Sequence, residues 1–92
     1  MLKPVKVSEL PEDTQKRLVH RLSRIEGHVR AVKRMLEEGQ SCNDVLLQLA
    51  AIASAVGKVE AELLKAHLTS CVLGEGRERD VEELLKAIDR LF

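Results

Sequence analysis

The chain has 92 residues, 45% of them hydrophobic and 33% charged, with a formal net charge of zero. That length holds little more than one small core, and charge at this density excludes a chain embedded in a bilayer. One aromatic residue, Phe92, leaves nothing for a base-stacking RNA surface, and two cysteines cannot build the multi-bridge framework of a small secreted domain. The zero is a balance of unlike parts. Residues 1–34 carry nine Lys/Arg against four acids, a surplus of +5, and the remaining 58 residues carry −5. A basic segment of this kind suits a polyanion, or complements the acidic remainder within or between subunits.

Taken in chain order, residues 1–10 read as a flexible N-terminal arm of a single domain, 1–92. The opening run MLKPVKVSELPEDTQ lacks an apolar signal core, and the longest uncharged run, Val45 to Gly57, is thirteen residues. A bilayer span needs roughly 18 or more, so the expectation is a cytoplasmic chain with no membrane partner. Prolines at 4 and 11 and glycines at 27, 39, 57, 74 and 76 then divide the sequence into three helices, about 11–38, 41–72 and 77–91.

In the first helix Leu18, Leu22, Ile25, Val29, Val32 and Leu36 recur at steps of four and three, one apolar stripe. Pro11 suits its first turn, Glu12 and Asp13 its dipole, and Gly39 its exit, while Gly27 inside it predicts a close helix approach. The second helix opens on Ser41 as N-cap with Asp44 three residues on. It carries two adjoining stripes. Val45, Leu49, Ile52, Val56, Val59 and Leu63 form one; Leu46, Ala50, Ala53, Gly57, Glu60, Leu64, His67 and Cys71 form the other. So wide an apolar surface predicts packing against both the chain itself and another copy. The third helix, with Val81, Leu84, Leu85, Ile88 and Leu91, is short enough to need docking. The fold class is therefore all-α, an oligomeric helical bundle without strands.

Cys42, His67 and Cys71 are the chemically informative residues. A cysteine on an apolar helix face is ordinarily a small packed hydrophobe. His67 and Cys71, however, stand at i and i+4, the spacing at which two side chains converge on one metal ion. Cys42 falls in the first turn of its helix, where the dipole favours the thiolate. Along a continuous helix Cys42 and His67 lie about 37 Å apart at 1.5 Å per residue, so they cannot share a metal within one chain. Two antiparallel copies would place Cys42 of one beside His67 and Cys71 of the other, twice per dimer. Two thiolates and an imidazole favour Cu(I), with Zn(II) entering if a fourth ligand or water joins.

Arg17, Arg21 and Arg24, at i, i+4 and i+7, form a basic stripe that would neutralise phosphates, with Lys16, His20 and Lys33 as extensions. No helix-turn-helix pattern accompanies it. There is also no C-x-x-C pair and no strand pattern for a thioredoxin-like enzyme.

The run RLSRIEGHVRAVKRMLEEGQSCNDVLLQLAAIASAVGKVEAELLKAHLTSC, residues 21–71, resembles the CsoR/RcnR family of small all-helical metal- and stress-responsive repressors. RIEGHVR, the cysteine opening helix two and the H-x-x-x-C near its end carry the resemblance. It implies an antiparallel dimer assembling into a dimer of dimers, hence a homotetramer without enzymatic activity. It also implies metal ligation by Cys42, His67 and Cys71 as in the copper-responsive branch, and operator DNA contacts that include Arg21 and Lys58. The N-terminal ligand position of nickel, cobalt and zinc members aligns near Leu10, which cannot ligate. Ser41 replaces the tyrosine that copper members often carry before the first cysteine. Glu82 and Glu83 are both candidates for the helix-three glutamate outside the ligand set. The function this implies is a repressor that grips operator DNA metal-free and releases it on Cu(I) binding, derepressing copper homeostasis genes. The alternatives are a persulfide- or oxidant-sensing repressor using the same two thiols, and a sensor of zinc or another metal.

Overall fold

The computed structural model describes residues 6–69 together with Glu83, Lys86, Ala87 and Arg90. Two long helices, α1 (Glu12–Glu37) and α2 (Cys42–His67), dominate the described residues, and no strand occurs among them. Of the expected third helix only those four positions are described; they are helical and exposed, and the rest lies outside the described residues. The sequence places the end of the second helix near 72. α2 proper ends at His67, Leu68 and Thr69 continue in wider π-helical turns, and residues 70–72 lie outside the described residues.

The ends of α1 follow from its sequence. Pro11 takes the N-cap place with φ −53° and ψ 140°, and its carbonyl accepts the first helical bond from the Gln15 N–H at 3.1 Å. Glu12 and Asp13 face the positive end of the dipole. At the other end Gly39 turns to φ +68°, the left-handed conformation that costs an L side chain energy. The Gly39 N–H donates to the Leu36 carbonyl at 3.1 Å and the Gln40 N–H to the Met35 carbonyl at 3.0 Å, so both orphan carbonyls are satisfied. Ser41 then caps α2 through its carbonyl, bonded by the Val45 N–H at 3.1 Å, while its hydroxyl makes no capping bond.

A link of only four residues turns α2 back along α1 as an antiparallel hairpin, pairing Arg17 with Glu62 at the open end and His28 with Gln48 nearer the turn. The seam buries Leu18, Val32, Val45 and Ala61, joined by Leu10 and Thr14. Part of the segment expected as a free arm is docked: Val7–Glu9 form a 3-10 turn and Leu10 is only 5% exposed. The Gln15 side-chain amide holds the segment by donating to the Leu10 carbonyl at 2.7 Å. Gly27 meets no neighbouring helix among the described residues. A Cβ placed there would meet nothing within 4 Å among them.

One hairpin leaves much apolar surface in water. Leu22, Val29 and Leu36 of α1 and Leu46, Leu47, Leu49, Val56 and Leu63 of α2 are all exposed. Complete burial of one such side chain is worth roughly 1.5–3 kcal/mol. The uncovered total is thus of the same order as the net stability of a whole domain, roughly 5–15 kcal/mol. α2 also holds an 18-residue window of mean hydropathy 1.3, long and apolar enough by that measure alone to cross a bilayer. The hairpin seam and the caps are those of a water-facing helical pair, and the wide apolar face of α2 is a surface for other helices.

Candidate metal centre and nucleic-acid interface

Cys42 is the first residue of α2, exposed and free, with its backbone N–H among the unsatisfied donors of the helix start. His67 is the last residue of the same helix and is half-buried. The two stand at opposite ends of a 26-residue helix. Among the described residues no three of His, Cys, Asp and Glu gather closely enough to hold a metal ion. Cys71 lies outside the described residues, as does Glu82; Glu83 is helical and exposed. One chain thus presents a thiol at one end of a rod and an imidazole at the other, too far apart to share one metal ion within the chain.

The surroundings of His67 bear on which ligands can join it. A cleft of about 310 Å³ is lined by Lys6, Val7, Leu10, Glu60, Leu63, Leu64 and His67. The docked N-terminal segment therefore reaches the end of α2 that bears His67, and brings aliphatic Val7 and Leu10 with one lysine.

Along the seam run two grooves of about 550 and 620 Å³. Arg17, Arg21, Lys58 and Lys65 line the first; Arg21, Arg24, His28 and Lys58 line the second. All four residues singled out for DNA, Arg17, Arg21, Arg24 and Lys58, thus lie on one side of the hairpin, with Arg21 and Lys58 common to both grooves. Lys16, His20 and Lys33, considered as extensions, line neither groove, and Lys16 pairs at 3.3 Å with Glu12. Helical spacing explains the gathering: positions 17, 21 and 24 share one face of α1, and the antiparallel return sets Lys58 opposite Arg21.

Sequence reasoning passed over Glu62. Its carboxylate accepts from Arg17 Nε at 2.5 Å and from Arg21 Nε at 3.2 Å. The hydrogen bond to Glu62 first, and its charge second, push the Arg17 guanidinium above its ordinary pKa. The signal was an acid one turn beyond Lys58, on a helix that the short link returns along the arginine stripe. His28, read as a surface residue, is half-buried and shares a 2.6 Å hydrogen bond with the Gln48 side-chain oxygen across the seam.

The chain as a whole is similar to known proteins. A family profile described as "Metal-sensitive transcriptional repressor" matches residues 14–90. The transcriptional repressor RcnR of Salmonella arizonae is 41% identical over 87 residues, covering 90% of this chain and 96% of that protein. RcnR of Escherichia coli K12 matches to the same extent. Two solved structures share the fold at 32% identity. A single-residue variant of the formaldehyde-responsive regulator FrmR from Salmonella enterica serovar Typhimurium has a TM-score of 0.65 and covers 85% of this chain and 97% of that one. The copper-sensing repressor CsoR with Cu(I) from Geobacillus thermodenitrificans has a TM-score of 0.66, covering 99% and 88%. A basic seam, a thiol and an imidazole at opposite ends of one helix, and a family match across most of the chain lead to one assignment: the chain belongs to the CsoR/RcnR family of metal-sensitive transcriptional repressors.

Proposed function

We propose that the chain is a Cu(I)-responsive repressor, cytoplasmic, which binds operator DNA when metal-free and releases it when Cu(I) binds. The observation that carries the metal choice is the neighbourhood of His67. The described part of the N-terminal segment, in the region that aligns with the extra ligand position of nickel, cobalt and zinc members, brings Lys6, Val7 and Leu10 to this cleft and no imidazole, thiol or carboxylate; the one acid lining it, Glu60, comes from α2. What remains is a set of three, Cys42 from one chain with His67 and Cys71 from its partner. Two thiolates and an imidazole are soft, and a three-coordinate soft set fits Cu(I).

The exposed face of α2 supports the assembly this requires. Burying Leu46, Leu49 and Val56 against a second, antiparallel α2 brings opposite helix ends together and makes two equivalent sites. Two such dimers pairing into a tetramer set several basic grooves along one duplex, and their Arg and Lys side chains displace condensed counterions. Cu(I) then acts by linkage: it stabilises the conformation with weaker DNA affinity, and DNA weakens Cu(I) binding by the same factor. His67 is the transmitter in this reading, since its second ring nitrogen can bond a group outside the ligand set, with Glu82 and Glu83 as the candidate acids.

The test is DNA release under equal concentrations of Cu(I), Ni(II), Co(II) and Zn(II), with oxygen excluded and a duplex selected by the protein from a random pool. Release by Cu(I) at one ion per chain, with the others inactive, is expected. Release by nickel or cobalt with Cu(I) inert would overturn the copper reading, and release by persulfide donors alone would favour a thiol sensor.

A further inference from the structure

We propose that Glu62 is a positioning residue for DNA binding, an acid that strengthens the grip of a basic groove by fixing Arg17 and Arg21. The inference rests on the DNA-binding reading of that groove. Glu62 is the only acid among the described residues lining the two grooves. By charge alone it opposes a phosphate, and its removal would make the groove more basic. The geometry points the other way.

Each of its two oxygens takes a different arginine, Oε1 from Arg17 and Oε2 from Arg21, and both arginines are held through Nε. Nε is the inner nitrogen of the guanidinium fork; at the terminal end Arg17 Nη1 has only a looser 4.0 Å contact, with the exposed Asp13 carboxylate. Accessibility agrees: the Glu62 side chain is 19% exposed, while those of Arg17 and Arg21 are 49% and 45% exposed. The acid sits at the floor and the arginine ends face out. Two long side chains that would otherwise sample many rotamers are ordered in advance, one turn apart on α1. A phosphate meeting them then costs less side-chain entropy. Bidentate recognition of phosphate depends on the orientation of the fork as well as its charge, which is why ordering can outweigh one opposing charge.

The experiment compares Glu62→Gln and the charge-preserving double variant Arg17→Lys/Arg21→Lys with the parent, full-length and metal-free. The probes are a duplex selected by the parent and a random duplex of equal length. Glu62→Gln raises the groove charge by one yet is expected to weaken selected-duplex binding about ten-fold, with random-duplex binding unchanged or tighter. The lysine pair keeps the charge, leaves Glu62 in place for folding, and is expected to lose a similar factor. Adding Glu62→Gln to an Arg17→Ala/Arg21→Ala background should change nothing further. Equal or tighter binding of the selected duplex by Glu62→Gln would overturn the proposal and make the acid a competitor of phosphate. Parent-like binding by the lysine pair would overturn it too, even if Glu62→Gln failed to fold. Failure of the DNA-face reading itself looks different: Arg17→Ala/Arg21→Ala would then bind both duplexes like the parent.

Discussion

At His67, holding a metal and signalling its presence are separable. In the proposed site Cys42 and Cys71 would supply the two soft donors that dominate Cu(I) affinity, and the imidazole the third bond and the route outward. His67→Asn should keep Cu(I) affinity within about ten-fold, measured by competition with a chromophoric chelator, and lose most copper-driven DNA release. Cys42→Ser should weaken Cu(I) binding itself. Release by His67→Asn at the parent's copper occupancy would leave His67 as a ligand without a signalling part. On the groove, Arg21→Ala or Lys58→Ala should weaken DNA binding and reduce its log–log salt slope by about one, with Cu(I) affinity of the free protein unchanged. An unchanged slope would remove that residue from the DNA face. How far these residues were legible in the sequence differs. The spacing of His67 and Cys71 and the arginine stripe are local patterns in the sequence, each within a few residues. The bridge from Glu62 to Arg17 and Arg21 crosses 45 and 41 positions, and only the return of α2 along α1 brings it about.

At the scale of elements, hydrophobic period and glycine placement located α1 and α2 to within one residue at three of their four ends, because caps are local chemistry. Gly39 shows why. Its φ of +68° is imposed by the carbonyls it must satisfy, and no neighbour crowds the position, so Gly39→Ala should cost about 1 kcal/mol of stability through backbone strain alone. Thermal denaturation at fixed protein concentration checks this, and an unchanged midpoint would contradict it. The docked segment Lys6–Leu10 was not legible. Its hold depends on Leu10 finding the open end of the hairpin and on the Gln15 amide bonding back, neither of which has a periodic signature. Gly27 is different: among the described residues of the chain nothing packs on it, so any close approach there would come from elsewhere.

At the scale of the whole molecule, the exposed apolar face of α2 and the proposed ligand set call for the same arrangement, two antiparallel copies of α2. Leu49→Glu and Val56→Glu each place a charge on that face in both chains of a symmetric pair. They should raise the dimer dissociation constant by at least about a hundred-fold, read by sedimentation, and lower Cu(I) affinity with it. The most direct measurement of a site shared between chains mixes two variants that each lack one thiolate, Cys42→Ala and Cys71→Ala. In an antiparallel heterodimer one interface regains Cys42 from one chain with His67 and Cys71 from the other, and the second interface loses both cysteines. Random mixing should therefore restore about one quarter of the parental Cu(I) sites, each bound through two sulfurs and one nitrogen by X-ray absorption, together with partial copper-driven release of DNA. Verified heterodimers that bind no more Cu(I) than the two variants kept apart would contradict the shared site.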